Sequence, residues 1–267
     1  MTEMNGYDDG VFCWTDLVAH DFEAAKAWYS KIFGWTAVDQ DTKGGPPYVI
    51  WTQDGRPVAG LGQMSEEMKA SGAPTMWTDY VAVSDVEATA AKAAELGGKV
   101  IFPPFQVLDS GSMAAFMDPH GAMFAVWKAG THFGAGTVNV PNSMSWNELA
   151  TTDVPGARKF YGELFGWTYS EQDMGQFVYT SIAAGRRSNG GIVPMVGEQW
   201  QGIPPHWMTY FSVADVDATA KAIEEAGGKI CVPAIDIPQV GRFAVVNDAQ
   251  GATFTIITML EVRLFVD

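Results

Sequence analysis

The sequence predicts an α+β fold in which four βαβββ modules form two homologous domains with cupped, mixed sheets. Residues 77–127 align with residues 207–257 at a constant offset of 130 without a gap, and 19 of the 51 positions are identical. Residues 13–36 repeat 132 positions later. We therefore expect two domains, at 10–130 and 142–258, with the stretch THFGAGTVNVPNS between them as a linker.

The first module begins with a strand pattern over residues 12–17. Asp21 is suited to cap a helix, and apolar residues follow it at helical spacing until Gly34, which is expected to end the helix. Three short strand patterns complete the module, near residues 35–40, 48–53 and 58–62.

The second module repeats this order. A strand pattern covers residues 78–84, and Asp85 is expected to cap a helix over residues 86–96 that ends at Gly97-Gly98. The remaining strand patterns lie near residues 99–108, 112–117 and 122–127. Strand patterns dominate, so we expect the short amphipathic helices to lie against one face of a sheet.

Composition excludes several classes of protein. Apolar residues make up 47% of the 267 residues and aromatic residues 12%, which is ample for a folded core and excludes a disordered chain. The net charge of −15 disfavours nucleic acid and anionic membranes as partners. Cys13 and Cys231 cannot form a disulfide framework or a Cys-rich zinc site. The acidic start of the chain is unlike a signal peptide, and no stretch approaches the ~20 apolar residues of a membrane span, so we expect a cytoplasmic protein.

Three pairs of motifs carry a family resemblance. WYSKIFGW and FYGELFGW occupy equivalent helix ends, SDVEATAAKAAELGGKV matches ADVDATAKAIEEAGGKI, and the turns DPHG and DAQG follow in register. The chain thus resembles the glyoxalase / bleomycin-resistance / extradiol-dioxygenase superfamily, also called the vicinal oxygen chelate proteins. It is most similar to tandem, two-domain glyoxalase-like proteins of actinobacterial type, often named hydroxylases or 27 kDa antigens. The resemblance covers nearly the whole chain.

The resemblance implies a divalent metal in each cup, held by His, Glu or Gln on the first and last strands of paired modules. The matching positions in this sequence are Trp14, Gly60, Asp79, Ala125, Trp146, Gly191, Thr209 and Thr255. Only Asp79 offers a good ligand, and a single carboxylate does not hold such an ion. We therefore predict that the family metal site is absent and that no cofactor is bound.

Three carboxylates remain as candidate catalytic bases. Asp79 occupies a ligand position on its own, whereas Asp16 and Glu148 are equivalent in the repeat. Asp16 lies two residues past Trp14, and Glu148 lies two residues past Trp146, so each acid shares a strand face with an indole. An acid beside an indole in a cup would have a raised pKa and could act as a general base. Alternatively, each acid forms a structural ion pair or ends a strand.

Recurring tryptophans suggest the kind of ligand. Ten tryptophans are several more than usual for this length, and those at the ligand positions should point into the cups. An aromatic cup without a metal suits an apolar or planar molecule. The candidate ligand-binding residues are Trp14, Trp146, Trp77, Trp207, Thr209 and His206, the histidine being placed at a cup rim. A plain core role would explain most of the tryptophans equally well.

Three functions follow from these patterns. The leading hypothesis is a glyoxalase-like protein that binds a small apolar or aromatic molecule in metal-free cups. The second is an isomerase, lyase or hydroxylase that uses a carboxylate base. The third is a structural duplicate whose cups have filled with side chains. We expect the two domains to associate as an internal pseudo-dimer, and the sequence leaves further homodimerisation open.

Overall fold

A computed structural model describes residues 2–260 of the chain. Its α-helices are α1 (Phe22–Phe33), α2 (Glu66–Ala70), α3 (Val86–Glu95), α4 (Val154–Phe165) and α5 (Val216–Glu225). The sequence patterns did not predict the short helix α2. The strands of the first half are β1 (Thr2–Glu3), β2 (Phe12–Ala19), β3 (Thr36–Asp39), β4 (Tyr48–Gln53), β5 (Arg56–Gln63), β6 (Met76–Ala82), β7 (Lys99–Val107), β8 (Gly111–Met117) and β9 (Met123–Ala129). Those of the second half are β10 (Thr137–Val138), β11 (Ser143–Thr151), β12 (Thr168–Asp173), β13 (Val178–Ala184), β14 (Arg187–Pro194), β15 (His206–Ser212), β16 (Lys229–Ile237), β17 (Gly241–Asn247) and β18 (Thr253–Met259).

Each half forms one mixed eight-stranded sheet, as the module pattern predicts. The strand order is β3-β4-β5-β2-β6-β9-β8-β7 in the first sheet and β12-β13-β14-β11-β15-β18-β17-β16 in the second. The first strands of the two modules pair antiparallel at the centre of each sheet, as β2 with β6 and as β11 with β15. In each module the first and last strands run parallel, as β2 and β5 do. The chain is therefore a tandem of two homologous α+β domains.

Local sequence sets the helix ends. The carboxylate of Asp21 accepts a hydrogen bond from the Ala24 amide at 3.0 Å, and Asp153 caps α4 in the same way. Gly34 and Gly166 follow α1 and α4 with φ values of 70° and 73°, a left-handed conformation that favours glycine. The predicted start and end of α1 are thus confirmed.

The two sheets pack against each other, and each does so with the face on which its own helices lie. Helix α1 of the first domain contacts the second domain, where the Trp28 indole donates to the Ala226 carbonyl at 2.9 Å. Trp51, the largest fully buried side chain, packs beneath Tyr29 of the same helix. We call this side of each sheet the interface face, because it is covered by the domain's own helices and by the other domain.

Two equivalent hydrogen-bonded chains cross this interface. In one, the Trp77 indole donates to the Tyr29 hydroxyl at 3.0 Å, and Tyr29 donates to Asp248 of the other domain at 3.0 Å. In the other, Trp207 donates to Tyr161 at 2.8 Å, and Tyr161 donates to Asp118 at 3.0 Å. The aspartates of the DPHG and DAQG turns therefore hold the domains together.

The segment expected to be a linker is packed onto the first domain. Its Val138 pairs with β1, and its Ala135 amide donates to the Cys13 carbonyl at 2.8 Å. The Tyr7 hydroxyl also donates to the Ala135 carbonyl at 2.8 Å. Within residues 2–260, no helix is both long enough and apolar enough to cross a membrane.

Candidate functional site

The face of each sheet opposite the interface face carries the equivalent carboxylates, and we call it the cup face. A β-bulge decides which residues reach it. In β2, Phe12 is opposite Val81 whereas Trp14 is opposite Tyr80, so one extra residue lies on β2 between the two pairs. Phe12 packs between the domains against Trp207, and Trp14 turns to the cup face. The bulge recurs in β11 between Met144 and Trp146.

A chain of polar side chains lies on the first cup face. The Trp14 indole donates to the Tyr48 hydroxyl at 3.2 Å, and Tyr48 donates to Oδ2 of Asp16 at 3.2 Å. The Tyr80 hydroxyl donates to the same oxygen at 3.1 Å. Two phenols thus donate hydrogen bonds to the Asp16 carboxyl group. The Trp14 indole lies on the same face of β2, two residues earlier in the strand.

The same arrangement recurs on the second cup face with a longer acid. The Trp146 indole donates to Tyr179 at 3.0 Å, and Tyr179 donates to Oε2 of Glu148 at 2.8 Å. Tyr210 donates to Oε1 of Glu148 at 2.7 Å. Because the network is duplicated on both sheets, we treat these two clusters as the candidate site.

Burial sets the proton affinity of both acids. It raises the pKa of Asp16 to about 6, partly opposed by the hydrogen bonds from Tyr80 and Tyr48. Burial also raises the pKa of Glu148, opposed by the hydrogen bonds from Tyr210 and Tyr179. Both carboxyl groups can therefore exchange a proton closer to neutral pH than an exposed acid can.

The side chains of the cup faces do not fit the divalent metal of the family. Each cluster of an indole, two phenols and an acid supplies a single carboxylate, and a lone carboxylate does not hold such an ion. A Cβ added at Gly60 would overlap the Tyr48 hydroxyl, and one added at Gly191 would overlap the Tyr179 hydroxyl, so phenols fill the space above these ligand positions. Across residues 2–260, no cluster of three or more His, Cys, Asp or Glu side chains could hold an ion.

The structure places Asp79 and Thr209 away from the cups. Asp79 is opposite Thr15 in the ladder and thus faces the interface, where the Thr209 hydroxyl donates to its Oδ1 at 2.6 Å. The Thr15 and Thr209 hydroxyls lie 3.2 Å apart across the interface. Burial raises the pKa of Asp79 to about 6, opposed chiefly by the hydrogen bond from Thr209. The expectation that Asp79 and Thr209 line a cup is corrected, because Tyr80 and Tyr210 hold the cup-face positions.

Trp77 and Trp207 also lie outside the cups. Both belong to the hydrogen-bonded chains between the domains, which supports the core alternative for these two tryptophans. His206 starts β15 on the same face as Tyr210, at the rim of the second cup face, with Nδ1 2.8 Å from the Pro204 carbonyl oxygen. Five of the nine predicted site residues thus share the cup faces: Trp14, Asp16, Trp146, Glu148 and His206.

The sequence reasoning missed the four tyrosines that hold the acids. Tyr80 and Tyr210 are separated by the repeat offset of 130, and Tyr48 and Tyr179 by 131. A search for polar residues that recur in both halves would have found them. Their contacts with the acids depend on pairing between strands that are distant in sequence.

Both domains match a known protein family. The family model "Glyoxalase/Bleomycin resistance protein/Dioxygenase superfamily" matches residues 12–126 and 143–256. The chain belongs to this superfamily. The match covers both domains and most of the chain, which confirms the family expected from the sequence motifs.

Similar proteins include one from Mycobacterium tuberculosis named "Putative glyoxylase CFP32", 38% identical over 96% of this chain and 98% of that protein. Another is the "Anthracycline biosynthesis protein DnrV" of Streptomyces peucetius, 34% identical over 97% of this chain and 96% of that protein. Among solved structures, the Mn(II)-bound glyoxalase from Novosphingobium aromaticivorans matches with a TM-score of 0.65 and 19% identity, covering 95% of this chain and 83% of that chain. At this identity the likeness shows the fold alone.

Proposed function

We propose that the chain binds a small, largely apolar aromatic molecule on a cup face without a metal, with the tyrosine-held carboxyl group as the polar anchor. The duplicated Trp–Tyr–acid–Tyr cluster carries this proposal. It places an indole for stacking next to a carboxyl group that can accept a hydrogen bond from a phenol.

Apolar residues at the rims suit such a ligand. Phe105 is opposite Met113 in the first sheet, and Ile235 is opposite Phe243 in the second. Phe105 and Ile235 are 130 positions apart in the repeat and are 47% and 48% exposed, more than large apolar side chains usually are. An aromatic ligand would cover this surface and gain free energy from its burial.

The names of the relatives support the same ligand class. Two similar proteins are named for anthracycline biosynthesis. Anthracyclines are planar, fused-ring aromatic compounds with phenolic and quinone oxygens. A ligand of this chemistry would match both the indole and the carboxyl group of a cluster.

A binding titration tests the proposal. We expect 1,8-dihydroxyanthraquinone to quench tryptophan fluorescence saturably, with the same affinity in excess EDTA. The double variant Asp16→Asn/Glu148→Gln should bind about tenfold more weakly, since a hydrogen bond to a charged group contributes about 1.5–3 kcal/mol. Asp39→Asn, an exposed acid paired with Lys26, is the matched control. Absence of binding, or binding that EDTA abolishes, would contradict the proposal.

A second candidate is an enzyme that transfers protons, such as an isomerase or lyase. The raised pKa values of Asp16 and Glu148 favour it, because burial makes each carboxylate a stronger base than an exposed acid, so that it can accept a proton and return it. Anthrone, a planar aromatic ketone with an acidic CH₂ group, is a suitable probe. Under anaerobic conditions in D₂O, NMR should show catalysed deuterium exchange that the double variant loses. Equal exchange rates with and without protein would exclude this activity for the probe.

A further inference from the structure

We infer that only the second cup face, which carries Glu148, admits a ligand, and that His132 closes the first. This inference rests on the proposed function and specifies which cluster performs it. The two clusters have the same hydrogen-bonding pattern, so the difference must come from what covers them. The segment of residues 131–137, here called the closing segment, follows β9 and lies on the first cup face.

His132 lies directly on the tryptophan of the first cluster. Its ring meets the Trp14 indole edge to face, with 4.6 Å between centroids and an angle of 83°. A second indole, that of Trp127, lies 5.9 Å away and donates to the His132 carbonyl oxygen at 2.8 Å. The imidazole therefore occupies the position in which a planar ligand would contact Trp14.

The backbone of the closing segment is fixed to two strands. The Ala135 amide donates to the Cys13 carbonyl of β2, and the Gly136 amide donates to the Pro57 carbonyl of β5 at 2.7 Å. Gly134 has a φ of 113°, and a Cβ there would overlap the Cys13 carbonyl oxygen. Only glycine permits this approach, so the segment is built to lie against the sheet.

Exposure of the two clusters agrees with this difference. Trp14 and Asp16 are only 3% and 7% exposed, whereas Trp146 and Glu148 are both partly exposed. Trp146 makes no aromatic contact with another ring within residues 2–260. The Glu148 side chain is also one methylene longer than that of Asp16. The second cluster is therefore the one that a ligand can reach.

The sequence of the second half does not repeat the closing segment. At the offset of 130, residues 131–137 correspond to residues 261–267, which read EVRLFVD. These positions contain neither the histidine nor the two glycines that bring the first segment close to β2 and β5. The sequence features that place the closing segment on the first sheet are thus not repeated in the second half.

Binding stoichiometry tests the inference. Equilibrium dialysis of the full chain with 1,8-dihydroxyanthraquinone should give one site per chain. Glu148→Gln should weaken that site about tenfold. His132→Ala should raise the number of sites to two, because removal of the imidazole exposes Trp14, and adding Glu148→Gln to it should return one strong site. His20→Ala, which changes an exposed histidine whose Nε2 lies 2.8 Å from the Ala73 carbonyl oxygen, is the control and should leave one site.

The outcomes separate this inference from the proposed function. Two sites in the unaltered chain, or a single site that Glu148→Gln leaves intact, would overturn the assignment to the second cup while the proposed function stands. One site in His132→Ala would overturn the role of His132. No binding in any variant would overturn the proposed function itself. If His132→Ala does not fold, the Glu148→Gln titration alone still decides between the two cups.

Discussion

The interface between the domains and the two cup faces descend from the same duplication, but they have diverged to different extents. The two chains of hydrogen bonds that cross the interface consist of the same residue types. One runs through Trp77, Tyr29 and Asp248. The other runs through Trp207, Tyr161 and Asp118. On the cup faces, one acid is Asp16, which is buried, and the other is Glu148, which is partly exposed. Both domains contribute to each interface chain, so a change in either domain affects both halves, whereas each cup face can change independently.

Truncation of the interface tyrosines should give the largest effect. Tyr29→Phe leaves the buried Trp77 indole without an acceptor and removes a donor from Asp248, so we expect a loss of about 2–3 kcal/mol in the free energy of unfolding. Tyr161→Phe should cost the same within about 0.5 kcal/mol, because its partners are equivalent. Urea unfolding of both variants provides the measurement. Unequal losses would break the symmetry that we assign to the interface.

The interface departs from symmetry at Asp79, whose counterpart is Thr209, and this difference should appear as a pH dependence. Burial raises the pKa of Asp79 to about 6, whereas an unfolded aspartate titrates near 3.9. The folded state therefore binds this proton more tightly. The resulting stabilisation is fully present below pH ~4 and is lost as the pH rises through about 6.

Asp79→Asn should remove this dependence, which amounts to about 3 kcal/mol. Urea midpoints measured from pH 4 to pH 8 should show that the unaltered chain loses stability relative to the variant as the pH rises. The exposed Asp39→Asn serves as the control. If the urea midpoints of Asp79→Asn and of the unaltered chain change in parallel with pH, Asp79 does not titrate as its burial predicts.

Glycine substitutions should give a smaller and more local effect. Gly60→Ala and Gly191→Ala would each displace a tyrosine from its acid, at a cost of about 1–2 kcal/mol typical of overpacking. Gly62→Ala is the matched control, because its added Cβ would meet the nearest Tyr48 atom at 3.7 Å, an ordinary contact. Thermal unfolding measures the cost. A Gly62→Ala loss as large as the other two would show that close contact with the tyrosine is not the cause.

Local sequence determined most of the helices and strands of this protein. Asp21 and Gly34 delimit α1 because capping and left-handed backbone conformations depend on neighbouring residues only. The internal repeat then determined that the elements form two homologous domains, and the spacing of Trp14 and Asp16 placed these side chains on one strand face. These features need no information from distant parts of the chain.

Only the tertiary structure decided which face each strand residue occupies and what covers it. The extra residue in β2 puts Tyr80, and not Asp79, on the same face as Trp14, because a bulge reverses the alternation of side chains. Trp77 and Trp207 became interface residues because their hydrogen-bond acceptors, the Tyr29 and Tyr161 hydroxyls, donate in turn to an aspartate of the other domain. The glycines of the closing segment predicted a linker. In the fold, the same glycines allow the segment to lie against β2 and β5.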